Sequence, residues 1–143
     1  MTASETTGPL AGVRVLEVAT TRASAIAGML LADLGADVIA DRSASTGFSA
    51  AYAPGDPAAP VWDRGKRLAE VDRRSLTELT GEADVLLTGA TSAPLQADLD
   101  GAFAGGNDGP NRVWMPPYCV EGEWQDLVED PYLLAGIGGL ASR

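Results

Sequence analysis

The segment Pro9–Ile39, PLAGVRVLEVATTRASAIAGMLLADLGADVI, decides the fold of this chain. Residues 12–18 alternate in character and are rich in valine, which predicts a β-strand. Residues 23–34 carry apolar side chains at helical spacing, and Gly35 follows at the position where a left-handed residue ends many helices. Residues 36–40 form a second apolar strand. Because the links are so short, the segment predicts a right-handed βαβ unit with parallel strands.

The rest of the chain continues this alternation of strands and helices. We expect strands over residues 68–72, 84–88 and 112–115, helices over 74–80, 94–103 and 130–140, and a long loop over 43–60. The pattern predicts an α/β fold, a Rossmann-like open and mostly parallel sheet with helices on both faces. Ligands of such sheets bind at the carboxyl ends of the strands. We therefore expect the site among residues 20–23, 40–42, 88–91 and 116–119.

Composition limits the classes of function. The chain has 143 residues, a net charge of −10, one cysteine and no histidine. We expect a flexible leader over residues 1–8 and one domain over residues 9–143. The acidic balance argues against nucleic acid as a partner, and no apolar run is long enough to span a membrane. The single thiol, Cys119, fits a reducing cytoplasm, and without a histidine as base it is interpreted as buried rather than nucleophilic.

A basic island interrupts this acidic chain. Half of the ten Lys and Arg residues fall in one short segment: Arg64, Lys66, Arg67, Arg73 and Arg74. One interpretation is an anion site, because arginine forks and a lysine charge suit phosphate groups. The other is surface pairing with the neighbouring carboxylates Asp63, Glu70 and Asp72. The residues alone leave both interpretations open.

Three segments together resemble the family III CoA transferases, the CaiB/BaiF type. They are Pro9–Ile39 with its LADLGADVI, Trp62–Arg67 with its RGKR turn, and Ala83–Thr88. The resemblance implies the N-terminal part of a Rossmann-like large domain, in a dimer of interlocked chains. It also implies movement of CoA from an acyl-CoA to a carboxylate acceptor. In that chemistry an aspartate attacks the thioester, forming a mixed anhydride and then an aspartyl-CoA thioester.

The resemblance also implies which residues bind CoA. The RGKR turn lies beside the nucleotide, the loop after the first strand lies near the diphosphate, and a helix N-terminus adds a favourable dipole. The basic residue that the family has after the second strand is either lost here or displaced to Arg42. The CoA-binding residues implied are Arg22, Ala23, Arg42, Arg64, Lys66 and Arg67. No metal site is expected.

The catalytic aspartate that the resemblance implies is Asp130. The same residue precedes Pro131 at the start of a predicted helix, so it also suits a helix N-cap. Both interpretations stay open. The racemases of the family need a histidine, and this chain has none. The turn over residues 89–93 lacks the Asn-Phe-Arg-Pro-Gly wording that helps the family hold CoA.

The chain is short for this family, whose C-terminal segment completes the large domain. A homodimer, or a partner chain that supplies the missing part, is therefore expected. The first hypothesis is a CoA transferase or a part of one. The alternative is a non-catalytic, degenerate CoA-binding or assembly module of a larger transferase. A nicotinamide-binding protein is disfavoured, because residues 19–24 contain no Gly-x-Gly-x-x-Gly.

Overall fold

The computed structural model describes residues 7–18, 20–42, 57–89, 97, 99–101, 109–116, 118, 121–124 and 131–138. Its strands are β1 (Arg14–Val18), β2 (Asp37–Asp41), β3 (Arg67–Ala69), β4 (Val85–Thr88) and β5 (Asn111–Trp114). Its helices are α1 (Arg22–Asp33), α2 (Ala59–Trp62), α3 (Arg73–Glu82) and α4 (Pro131–Ile137). Strands and helices alternate, as the sequence predicts.

The five strands form one parallel sheet in the order β3-β2-β1-β4-β5. This order reverses direction between β1 and β4, which is the switch point where doubly wound sheets bind ligands. The predicted α/β class and parallel sheet are confirmed. Observed strand and helix ends differ from the expected ones by one or two residues at most positions, because side-chain periodicity locates an element better than its ends.

Two parts of the sequence prediction need a correction or fall outside the description. The loop expected over residues 43–60 contains the start of a one-turn helix, α2, which ends at Trp62. Four residues are too few for a helical period to be visible in the sequence. The remainder of that loop, 43–56, lies outside the described residues. Of the helix expected over 94–103, residues 97 and 99–101 are described, and they are helical.

The ends of α1 are fixed by local chemistry. Thr21 caps its N-terminus, with its hydroxyl accepting from the Ser24 amide while the Ser24 hydroxyl accepts from the Thr21 amide. At the other end Gly35 has a φ of +96°. Its amide donates to the carbonyl of Ala32, and the amide of Ala36 donates to that of Leu31. This Schellman pattern turns the chain directly into β2.

The sheet is apolar on both faces. The face against α1 buries Val15, Val38 and Leu87, and the opposite face buries Leu16, Val18, Leu86 and Leu76 of α3. One charged side chain is buried among the apolar residues on the α1 face: Glu17, in β1, is fully buried. The residues around Glu17 form part of the candidate site.

Candidate functional site

The carboxyl ends of the strands gather into one edge, as the connectivity predicts. Thr20 and Thr21 follow β1 and are buried there. The Thr21 hydroxyl donates to the carbonyl of Met115, after β5, at 3.4 Å. The indole N–H of Trp114 donates to the carbonyl of Gly89, after β4, at 2.9 Å. The loops that follow β1, β4 and β5 therefore meet around the switch point.

The N-terminus of α1 opens onto this edge. The Ser24 amide is satisfied by the Thr21 cap, but the amides of Arg22 and Ala23 have no acceptor within the helix, because they belong to its first turn. These two N–H groups and the helix dipole favour an anion. The predicted site residues Arg22 and Ala23 thus lie where the electrostatic environment favours a phosphate.

Arg22 is a cation at this edge that forms no ion pair with a described carboxylate. Its side chain is exposed, and its guanidinium lies 5.2 Å from the centre of the Trp62 ring, in a cation–π contact. No carboxylate of a described residue forms an ion pair with it. The stacking orients the guanidinium while leaving its charge uncompensated.

Arg42 reaches the same edge from the end of β2. Its Nη1 donates to the Asp41 carbonyl at 3.0 Å and to the Thr20 hydroxyl at 3.3 Å. The other side of the guanidinium, Nε and Nη2, binds the carboxylate of Asp63, which follows α2. The side chain is 15% exposed. Arg42 is therefore clamped at the edge and paired with an acid.

The RGKR turn directs its three cations to carboxylates from three different elements. Arg64 binds Asp33 at the end of α1, with Nε 3.0 Å from Oδ1. Arg67 binds Asp37 at the start of β2, at 2.8 and 2.6 Å. Lys66 reaches under α1 to Glu17 in β1, as described below. The cations thus hold elements together, through partners distant in sequence.

Lys66 and Glu17 form an ion pair inside the domain. Lys66 Nζ lies 2.6 Å from Oε2 of Glu17 and 2.8 Å from the carbonyl oxygen of Ala25, and both charged side chains are fully enclosed. The second oxygen of Glu17, Oε1, lies 3.8 Å from Nη1 of Arg42 and has no partner at full hydrogen-bond geometry, although the Thr20 hydroxyl is near enough to lower the pKa of the carboxyl. Two cations therefore flank one buried carboxylate.

Burial acts on both members of this pair in opposite senses. Desolvation raises the pKa of Glu17 and lowers the pKa of Lys66, because a low-dielectric interior disfavours either charge. The partner's charge opposes the shift in each case. Breaking the pair would leave a charge in the interior without compensation.

Gly28 makes room for this ion pair. A Cβ at Gly28 would lie 2.3 Å from Oε2 of Glu17 and 3.0 Å from Nζ of Lys66. Real Cβ atoms do not approach other atoms that closely, so one of the three groups would have to move. The glycine in the middle of α1 is thus explained by the charges beneath it, not by its backbone conformation.

The predicted site residues separate into two sets. Arg22, Ala23 and Arg42 lie at the carboxyl edge. Arg67 begins β3 and binds the first residue of β2, while Arg64 binds the last residue of α1, so both side chains point toward the amino edge. Lys66 is enclosed between the two edges. CoA binding by each of these residues stays a prediction, and Asp130 lies outside the described residues, as does Cys119.

Sequence reasoning did not identify Glu17 or Gly28 as members of this arrangement. It named Asp63 as a partner for the basic island, whereas the structure pairs Asp63 with Arg42. A signal for Glu17 was present, since an acid inside the apolar strand Arg14–Val18 needs a buried partner. The only lysine of the chain was the obvious candidate. Gly28 carried no comparable signal.

Neither a membrane-crossing helix nor a metal cluster is found in the described residues. No helix there is both long and apolar enough to cross a bilayer. No group of three or more His, Cys, Asp or Glu side chains there is arranged to hold a metal ion.

The strand order and the gathered carboxyl edge define a doubly wound α/β protein of the Rossmann type. A sequence model of CoA-transferase family III matches residues 10–97, more than half of the 143 residues. The chain therefore belongs to CoA-transferase family III. The predicted family is confirmed. No curated protein matches the chain.

Solved structures share this fold. The hypothetical protein Rv3272 from Mycobacterium tuberculosis is 25% identical with a TM-score of 0.68, and the match covers 93% of this chain and 40% of that one. A CAIB/BAIF family protein from Brucella suis is 23% identical with a TM-score of 0.63, covering 92% of this chain and 39% of that one. This chain thus spans about 40% of the length of the solved structures it matches.

Replacing Gly28 by Ala is expected to lower the free energy of unfolding by about 1–3 kcal/mol, because the added methyl group collides with the buried ion pair. Gly81→Ala, in α3, is the matched control. A Cβ there meets no atom within 4 Å, so the change should stabilise the protein by about 0.5–1 kcal/mol. Chemical denaturation measures both, and equal effects would contradict the collision.

Replacing Glu17 by Gln strands the Lys66 ammonium, and replacing Lys66 by Met strands the Glu17 carboxylate. Each change is expected to cost about 3–5 kcal/mol near neutral pH. Their pH dependences should be opposite. With Lys66 of lowered pKa, folded E17Q binds fewer protons than the unfolded chain, so its stability rises with pH in the alkaline range. With Glu17 of raised pKa, K66M gains stability as the pH falls.

Denaturation curves measured across the pH range for both variants check this. Stability curves of the same slope for E17Q and K66M would show that neither variant leaves a buried charge.

Proposed function

We propose that this chain is the CoA-binding, N-terminal part of a CoA transferase that moves CoA between an acyl-CoA and a carboxylic acid. Membership of CoA-transferase family III supports the reaction class. The observation that carries the CoA site is Arg22, a cation without a carboxylate partner in the described chain, at the first turn of α1 beside the switch point.

The phosphates of CoA are the groups that this edge would bind. A diphosphate at the first turn of α1 would accept from the Arg22 guanidinium and from the amides of Arg22 and Ala23. Arg42, one strand away, is paired with Asp63, so it would have to share its guanidinium between that carboxylate and a second phosphate. Arg64 and Arg67 would have to exchange a carboxylate for a phosphate, and Lys66 is enclosed, so we propose only a supporting part in the CoA site for these three residues.

The chemical step is proposed for Asp130. Its carboxylate would attack the carbonyl carbon of the acyl-CoA thioester and release CoA as a thiolate, forming a mixed anhydride. The thiolate would then attack the aspartyl carbonyl carbon and release the acyl group as a carboxylate. The aspartyl-CoA thioester that remains would pass CoA to the acceptor acid by the reverse of these steps.

A second chain is proposed to complete the domain, either another copy or a partner that supplies the C-terminal part. The match covers only about 40% of the length of the solved structures. Apolar side chains on the outer side of α1 support the proposal: Ile26, Leu30 and Leu34 are 38%, 52% and 46% exposed at helical spacing. A cytoplasmic location is proposed from the single cysteine.

The alternative function is a non-catalytic CoA-binding or assembly module. The observation that favours it is the pairing of Arg64, Lys66 and Arg67 with carboxylates, which leaves fewer cations for a nucleotide. The altered turn over residues 89–93 is consistent with it. The two functions differ in whether Asp130 reacts.

Replacing Arg22 by Ala is expected to weaken CoA binding by roughly tenfold or more, because a charge-assisted contact to phosphate is lost. The control is Arg14→Ala, which removes another exposed arginine from the opposite edge, where it pairs with Glu82. Isothermal titration calorimetry with CoA measures both variants. Equal weakening would mean that net charge, not the carboxyl edge, attracts CoA.

Incubation with an acyl-CoA and hydroxylamine should convert Asp130 to a hydroxamate, because hydroxylamine intercepts the activated carboxyl group. Peptide mass mapping detects the product, and Asp130→Asn is the control that should give none. Absence of the product from the native chain, alone and with its completing chain, would favour the non-catalytic module.

A further inference from the structure

We infer that the buried ion pair of Glu17 and Lys66 positions Arg42, holding its guanidinium at the carboxyl edge of the sheet. Glu17 and Lys66 are thus positioning residues that act on the ligand edge without reaching it. The inference concerns the geometry of Arg42, and its value for CoA binding rests on the proposed function.

Burying the Glu17 and Lys66 charges costs free energy. Both side chains are fully enclosed, and Glu17 keeps one oxygen without a partner at full hydrogen-bond geometry. Buried ion pairs often stabilise a fold no better than apolar side chains of the same volume. An apolar pair would also satisfy the packing of α1 on β1. Stability of the core alone therefore does not account for these charges.

The second carboxylate oxygen of Glu17 faces Arg42. Lys66 occupies Oε2, and Oε1 lies 3.8 Å from Nη1 of Arg42. That same nitrogen donates to the Thr20 hydroxyl and the Asp41 carbonyl. The carboxylate attracts the guanidinium inward, toward the two weaker acceptors that fix its position.

The Arg42 guanidinium is held from two sides. Asp63 binds Nε and Nη2, while Glu17, Thr20 and the Asp41 carbonyl lie on the Nη1 side. A planar guanidinium between two carboxylates has little freedom to rotate. Both carboxylates depend on one turn, since Asp63 begins it and Lys66 ends it, with the Lys66 amide donating to the Asp63 carbonyl at 3.1 Å.

Glu17, Asp63, Lys66 and Arg42 form one cluster of four charged side chains. Glu17 and Asp63 are balanced by Lys66 and Arg42, so these four side chains are neutral together. Without Lys66 the same cluster would carry one negative charge next to an edge proposed to take phosphates. Lys66 thus lets Glu17 hold Arg42 without making the edge repel an anion.

The test replaces the ion pair with apolar side chains in the full chain, as Glu17→Leu with Lys66→Met. Three quantities are compared with the native chain: the melting temperature, the Kd of CoA by calorimetry, and the hydrogen exchange rate of the Arg42 Nε–H by NMR. The Arg42 signal is assigned as the one missing from Arg42→Lys. A purely structural pair would change the first quantity only.

We expect the double variant to melt near the native temperature, to exchange the Arg42 proton faster, and to bind CoA about tenfold more weakly. Unchanged exchange of the Arg42 proton overturns the inference, whatever the affinity. Should the double variant not fold, Glu17→Gln at neutral pH replaces it. That variant is expected to melt below the native chain, with the same faster exchange of the Arg42 proton and the same weaker CoA binding.

The exchange rate also separates this inference from the proposed function. If the native chain does not bind CoA, the proposed function fails, and the Arg42 exchange still decides whether the pair positions that side chain. If exchange quickens but CoA affinity is unchanged, the positioning stands and Arg42 is removed from the proposed CoA ligands.

Discussion

The ion pair between Glu17 and Lys66 constrains everything on the α1 face of the sheet. Two charges are enclosed there, each of which would be strongly unfavourable without the other. Their burial requires α1 to carry a glycine at position 28 directly above them. It also requires the turn before β3 to approach β1 closely enough for a lysine to reach across. Through Lys66 the turn is connected to both the strand and the helix, because its ammonium binds Glu17 in β1 and the Ala25 carbonyl in α1.

The turn that delivers Lys66 explains why a basic cluster on this acidic chain is mostly neutralised. Consecutive charged side chains, Asp63, Arg64, Lys66 and Arg67, point to four different places and find four different partners. The pairs at Arg64 and Arg67 are exposed and contribute little stability individually. These two pairs orient the turn, because Arg64 connects it to the end of α1 and Arg67 connects it to the start of β2. Anion binding then depends on the cations that remain at the carboxyl edge.

Much of the fold could be predicted because its signals are local. Alternation marked β1, helical spacing marked α1, and Gly35 marked where α1 ends; each depends on residues within a few positions of one another. The short helix α2 was not predicted, because a single helical turn is too short to show a repeating spacing of apolar side chains. The candidate site was predicted less well. The basic island was visible, but its partners were sought nearby, at Asp63, Glu70 and Asp72. In the folded chain Arg64, Lys66 and Arg67 pair with Asp33, Glu17 and Asp37, which are distant in sequence. Arg74 pairs with Glu78 nearby.

The sequence by itself determined the class of fold, the parallel order of the first two strands and the family to which the chain belongs. These follow from patterns that the chain carries residue by residue. Only the tertiary structure decided which charges meet, which edge each cation faces and which of them keeps its charge uncompensated. The physical reason is distance. An ion pair between residues 17 and 66 exists only after the sheet has formed, and no local pattern records it.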